Sequence, residues 1–176
     1  VTKPSVLVCG IDPGLHGALV VLNRNGLLVS AHATPVIAVE KSNGKGKRHV
    51  YLPTQMVTIL RAVKETCTDV RICMEQVSAM PGQGVTSMFS MGRGVGTWEG
   101  IIAALDLPIF YVTPQTWKKQ FRLKGSDKAQ SVVRALQLIP QLRQHVTRAK
   151  DEGIAEAALI ALYLQRLLFS GTARNT

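Results

Sequence analysis

The run Val6-Leu7-Val8-Cys9-Gly10-Ile11 ends in Asp12-Pro13-Gly14, and this junction constrains the chain more than any other stretch. A continuous apolar run of this length reads as a buried strand, and Asp-Pro-Gly stops it with turn chemistry. Apolar residues restart at Gly17-Ala18-Leu19-Val20-Val21-Leu22, so a second strand returns beside the first and leaves Asp12 at the tip. A carboxylate there is well placed to hold a metal, although the same tripeptide is also ordinary turn chemistry.

A second acid lies in another strand-like run, Val70-Arg71-Ile72-Cys73-Met74-Glu75-Gln76-Val77. Alternation puts Arg71, Cys73 and Glu75 on one face. A carboxylate among apolar residues is costly to bury alone, so Glu75 needs a partner from elsewhere in the fold unless the strand is an edge and the acid stands in water.

The third acidic cluster is Asp151-Glu152-Gly153-Ile154-Ala155-Glu156, opening the Ala- and Leu-rich run that continues through Tyr163. Acids suit the positive end of a helix, which is a structural reason for them. At about 100° per residue, Glu152 and Glu156 lie about 40° apart on a helix, whereas Asp151 and Glu156 lie about 140° apart. Glu152 and Glu156 are therefore the better pair. Gly153 weakens the helix at that point, so Asp151 remains open as a ligand or a helix cap.

Acids are scarce in this chain: 11 Asp plus Glu stand against 21 Lys plus Arg, a formal charge of +10. Such a balance points to a polyanionic partner. Acids grouped in a chain otherwise poor in them make sense where a divalent cation bridges carboxylate and phosphate, and magnesium favours that mixture of ligands. At 176 residues and 46% hydrophobic composition, one core is expected. Cys9, Cys67 and Cys73 have no paired spacing, which indicates core thiols rather than disulfides or a zinc site. No apolar stretch approaches a membrane span, and Val1 in place of Met is what a trimmed chain would show.

Strands are expected near 5–12, 17–23 and 27–34, then a loop, then a helix near 53–67. The loop carries Glu40-Lys41-Ser42-Asn43-Gly44-Lys45-Gly46-Lys47-Arg48-His49, Gly-broken and basic. It reads equally as a phosphate-touching finger, through Lys45, Lys47 and Arg48, and as a solvated hairpin tip. A mobile loop at 78–84 offers Met80 as an apolar wedge, with Gln83 beside it. From Val85 a helix is expected, and Gly92, Gly96 and Gly100 fall at helical spacing along it. Glycines are costly there unless something packs closely against them, either another helix of the same fold or a second subunit. Arg93 sits among them. Pro108–Val112 reads as a strand. Lys118, Lys119, Arg122, Lys124 and Lys128 then follow with Trp117 and Phe121 interleaved, a pattern suited to nucleic acid. A helix over 127–137 is closed by Pro140.

Assembled, Gly10-Ile11-Asp12-Pro13-Gly14, Met74-Glu75-Gln76-Val77, Asp127-Lys128-Ala129-Gln130 and Ala155-Glu156-Ala157 resemble, in this order and over nearly the whole chain, a RuvC-type Holliday-junction resolvase. The resemblance implies an α/β, ribonuclease-H-like mixed sheet flanked by helices, as a single nuclease domain over 1–176. It further implies a homodimer acting on four-way junction DNA with two magnesium ions per site, manganese serving as substitute. The activity implied is paired symmetric nicking. Residue by residue it points to Asp12, Glu75 and Glu156 as metal ligands, with Lys128 near the scissile phosphate. Bacterial relatives carry an acid three residues before the last one, where this chain has Gly153. The fourth ligand is thus Glu152 or Asp151, and helix geometry favours Glu152. The Gly-Lys-rich loop and Gly153-Ile154-Ala155-Glu156-Ala157-Ala158-Leu159-Ile160-Ala161 resemble the plant chloroplast type, which implies a plastid-nucleoid location.

Three other readings compete. An actin-like or sugar-kinase ATPase also opens with a Gly-Ile-Asp strand and turn, but it needs a second lobe and gives no reason for the charge. A junction-binding protein without activity would not need the acids. Another ribonuclease-H-like nuclease or transposase is the nearest rival.

Overall fold

The computed structural model describes residues 6–42, 44–78, 82–123, 128–148 and 151–170. Five strands form one mixed sheet: β1 (Leu7–Asp12), β2 (Ala18–Asn23), β3 (Leu28–Ala33), β6 (Val70–Glu75) and β7 (Ile109–Val112), in the order β3-β2-β1-β6-β7. β1 pairs antiparallel with β2 and parallel with β6. The chain therefore leaves β1 for one side of the sheet by a tight turn, and later adds parallel strands on the other side. Ligands gather at such a reversal, outside the carboxyl ends of the strands.

The sheet has an apolar layer on each face. Leu7, Cys9 and Ile11 of β1 join Ile72 and Met74 of β6 under α1 (Pro53–Thr66) and α2 (Val85–Ala104), where Trp98 is fully buried. Val8 and Cys73 face the opposite layer, built from α3 (Pro114–Gln120), α4 (Lys128–Leu138), the short 3-10 turn Pro140–Gln144 and α5 (Glu152–Phe169). The strand alternation that places Cys73 on this face carries Glu75 to it as well, as the sequence predicts. Because β6 is flanked by β1 and β7, Glu75 is not on an edge strand.

Helix α1 starts with Pro53 in its first turn, where a missing N–H costs nothing. It buries Met56, Leu60 and Val63, the inner stripe of a 3.6-residue repeat. Helix α5 is buried almost all round, as its Ala and Leu content demands. Cys9 and Cys73 are free core thiols whose pKa values burial pushes up to about 12.

Three parts of the chain add to or differ from the sequence expectation. The segment read as a loop contains a hairpin, β4 (Val36–Glu40) paired with β5 (Lys47–Tyr51), whose Gly44 and Gly46 take positive φ. Its β-branched flanks Val36, Ile37, Val39 and Val50 carry the strand signal that the lysines obscured. Residues 114–120 are a helix, opened by Thr113, whose side chain accepts a hydrogen bond from the Thr116 N–H at 3.3 Å. Finally, of the two kinds of neighbour expected for Gly92, Gly96 and Gly100, none from within the fold is found among the described residues; all three are exposed, and a Cβ there would meet nothing within 4 Å. The tightly packed glycine of α2 is Gly94, lodged against the Pro13 carbonyl and the Tyr51 ring.

Candidate active site

Asp12 ends β1 and Glu75 ends β6. The parallel register sets Ile11 beside Met74, so the two acids emerge next to each other at the carboxyl edge of the sheet. Helix α5 crosses above and brings Glu152 and Glu156 to the same place. All four carboxylates line one cleft of about 610 Å³, with no Lys or Arg among its described lining residues.

Each acid has a distinct environment. Asp12 Oδ1 accepts the Gly14 N–H at 3.3 Å, the Asx geometry expected of Asp-Pro-Gly. Glu75 receives the partner it requires from α3: the Trp117 Nε1–H donates to its Oε1 at 2.9 Å. Burial nevertheless holds the Glu75 pKa above the ordinary carboxylate value, with Glu156 adding to the rise, while the indole bond and Lys118 oppose it. Glu156 Oε1 lies 3.5 Å from the Ser131 hydroxyl and 3.9 Å from Lys118 Nζ. Like charges converging in a half-buried cleft repel one another, and among the described residues they do not close into a ligand cluster.

Asp151 is placed differently. Its Oδ2 accepts from the backbone N–H groups of Thr147 at 3.1 Å and Arg148 at 2.9 Å, and the Arg148 guanidinium donates to Oδ1 at 2.9 Å. Held chiefly by Arg148, its pKa falls to about 2. Asp151 does not line the cleft; its side chain ties the preceding turn to the start of α5.

Gly153 accounts for the position of the fourth acid. A Cβ at 153 would overlap the His16 carbonyl oxygen, because α5 starts directly against the turn after β1. No side chain fits there, and the cleft acid one position earlier is Glu152.

The basic candidates separate into groups. Trp117 and Phe121 are buried, 0% and 1% exposed, so they are not the nucleic-acid platform that their interleaving with lysines suggests. Spaced by four on a helical turn, they form its inner face, which leaves Lys119 and Arg122 exposed. Lys118 stands between, over the Trp117 ring at 5.2 Å and beside Glu156. Lys45, Lys47 and Arg48 are exposed on the β4–β5 hairpin, and Gln83 and Arg93 are exposed around the start of α2. Met80 and Lys124 lie outside the described residues, as does the side chain of Lys128. The Trp117–Glu75 bond was not read from sequence; the helical spacing of Trp117 and Phe121 was the signal available for it.

No family profile matches the chain. A curated relative, the crossover junction endodeoxyribonuclease RuvC of Chlamydia abortus, is 26% identical over 159 residues, covering 89% of this chain and 92% of that protein. Among solved structures, T. thermophilus RuvC in complex with Holliday junction substrate matches with a TM-score of 0.61 at 12% identity, with 96% of each chain covered. A second Thermus thermophilus RuvC structure gives 0.53 at 13% identity over 93% of this chain and 96% of that one. The fold is thus the ribonuclease-H-like mixed sheet seen in RuvC. Within that class, the chain is similar in sequence to a crossover junction endodeoxyribonuclease RuvC and in fold to RuvC structures.

Proposed function

We propose that this chain is a structure-selective DNA endonuclease that resolves four-way junctions by paired symmetric nicks. The observation that carries this reading is the convergence of Asp12, Glu75, Glu152 and Glu156 on one cleft in a chain of net charge +10.

An all-oxygen donor set of carboxylates fits hard divalent cations, magnesium first and manganese in its place. The raised Glu75 pKa points the same way, because a cation removes the repulsion that desolvation and Glu156 impose. Asp12, Glu75, Glu152 and Glu156 would hold two such ions. When bound, they supply Lewis acidity at the phosphate, activate the attacking water and stabilise the leaving 3′ oxygen. The chain's own part is positional. Trp117 fixes the orientation of Glu75, and Lys118 offsets charge beside Glu156. Lys119, Arg122, Arg93 and the hairpin cations Lys45, Lys47 and Arg48, all exposed, engage flanking phosphates; the parts given to Lys124, Lys128 and Met80, with Gln83 beside the last, rest on the sequence alone.

A two-fold substrate calls for a two-fold enzyme. The exposed Gly92, Gly96 and Gly100 on α2, with Phe89 69% exposed on the same helix, support a homodimer packed along that helix. The resemblance of residues 40–49 and 153–161 to the plant chloroplast type supports action in the plastid nucleoid, by the whole chain as one nuclease domain. No helix among the described residues is long and apolar enough to cross a membrane.

The deciding experiment is incubation with magnesium and a panel of four-way, flap, linear and single-stranded DNA, with nick mapping. Paired nicks at symmetric positions of the four-way junction are expected. Cutting of flaps or single strands in preference would select the wider ribonuclease-H-like nuclease reading, and binding without cutting would select the non-catalytic one.

A further inference from the structure

Beside the carboxylate cleft lies a second, of about 430 Å³, and its wall has the opposite electrostatic character. The two share Leu15, His16 and Met91. On the first side the charged lining residues are all acids. On the second they are Arg48 and Arg93, accompanied by His16 and His49, and no acid lines it among the described residues. The imidazoles come from different elements, His16 from the turn after β1 and His49 from β5, and their rings meet edge to face with centroids 6.0 Å apart. His16 therefore stands on the boundary between the two clefts.

The elements lining this second site are tied to one another. The Tyr51 hydroxyl, at the end of β5, donates to the Pro13 carbonyl at 3.3 Å, fastening the hairpin to the turn that carries Asp12. Gly94 lets α2 approach the same two groups closely, which fixes the helix bearing Arg93. Three elements thus meet at Pro13 and bring the donors they carry to one cleft.

Resting on the reading of the carboxylate cleft as the place of strand scission, we infer that the basic cleft binds the phosphodiester adjacent to the scissile one on the same strand. A phosphodiester monoanion is repelled by bare carboxylates, but guanidinium and imidazole N–H groups donate hydrogen bonds to its oxygens directly, with no cation between. A strand laid from the carboxylate cleft past His16 enters the basic one without leaving the protein surface. The histidines and arginines are then positioning residues that set which linkage falls under attack.

The test uses the full chain and a four-way junction with a single neutral methylphosphonate at one or the other linkage flanking the mapped nick. For the wild type, one of these two substrates should lose about tenfold in kcat/KM, the scale of one charge-assisted contact, and should weaken similarly in Kd measured in EDTA. In Arg48→Ala and in His49→Ala the unmodified junction should already show that loss, and the methylphosphonate should add nothing. His49→Gln, which keeps a hydrogen-bond donor, should restore part of the sensitivity. Because Arg48 and His49 are exposed, these variants leave the core intact. Equal and additive losses in wild type and variants would overturn the inference and leave the nuclease reading standing. A wild type that nicks no junction would overturn the nuclease reading itself.

Discussion

Asp151 and Glu152 are neighbours in sequence, yet the fold treats them in opposite ways. Asp151 is enclosed by the donors of Thr147 and Arg148, and its pKa drops to about 2. Glu152 enters a cleft with Asp12, Glu75 and Glu156, where burial and like charge hold the Glu75 pKa up instead. The contrast teaches how to sort acids in this chain. A carboxylate whose charge the protein itself neutralises is structural, while carboxylates gathered at a cost to the fold are poised for something brought from outside.

The largest effect should come from the cleft. Asp12→Asn and Glu75→Gln should each lower junction cleavage in magnesium by orders of magnitude while junction affinity at fixed salt stays nearly unchanged, since each removes a ligand and no phosphate contact. Undiminished cutting by either would remove the metal-site reading.

The comparison itself is sharpened by the adjacent pair. Glu152→Gln should fall in rate like the cleft variants, and Asp151→Asn should keep most of its rate while losing about 1 kcal/mol of stability from weakened hydrogen bonds. The folded pKa of Asp151 lies below its ordinary 3.8, so its contribution is present above pH 3.8 and fades as pH falls toward about 2. The stability deficit of the Asn variant should shrink over that window in denaturant melts. If the rates reversed, the assignment of the fourth ligand would pass to Asp151.

Gly153→Ala should cost about 1–3 kcal/mol by overpacking against the His16 carbonyl, with a matching loss of cleavage, as measured by chemical denaturation and nicking rates. A neutral result would mean that the turn and α5 can separate.

The smallest effect is the most diagnostic. The folded state holds the Glu75 proton more tightly than the unfolded chain, whose value is near 4.5. Ionised Glu75 therefore opposes folding at neutral pH, and the stabilising contribution is present below pH 4.5 and lost as pH rises through the raised folded value. Glu75→Gln should melt slightly higher than wild type at pH 7 without metal, and the advantage should vanish below pH 4.5. Magnesium should raise the wild-type melting temperature more than the variant's.

Much of this site was legible before the fold was known, because alternation and helical period are local. The apolar run to Ile11 fixed Asp12 at a strand end, alternation set Glu75 and Cys73 on one face, and the 40° argument paired Glu152 with Glu156. What was not legible depended on partners distant in sequence. The sequence placed Trp117 among lysines, and only the approach of α3 to β6 shows that its indole serves Glu75. Gly92, Gly96 and Gly100 suggested a close neighbour, within the fold or from a second subunit, whereas Gly94, off that spacing, makes the contact inside the fold. The hairpin over 36–51 was legible only as one of two readings of residues 40–49, because its solvent-facing positions carry the charges that also mark loops.

The bond between Trp117 and Glu75 also gives the protein a built-in optical signal. Trp117 and Trp98 are its only two tryptophans, and they lie in the separate apolar layers on opposite faces of the sheet. Indole emission responds to charge and hydrogen bonding at the ring nitrogen. Protonation of Glu75, or arrival of a cation beside it, should therefore shift the fluorescence of Trp117 while Trp98 serves as an internal reference. A Trp98→Phe variant would isolate that reporter, and cation occupancy could then be followed without any DNA present.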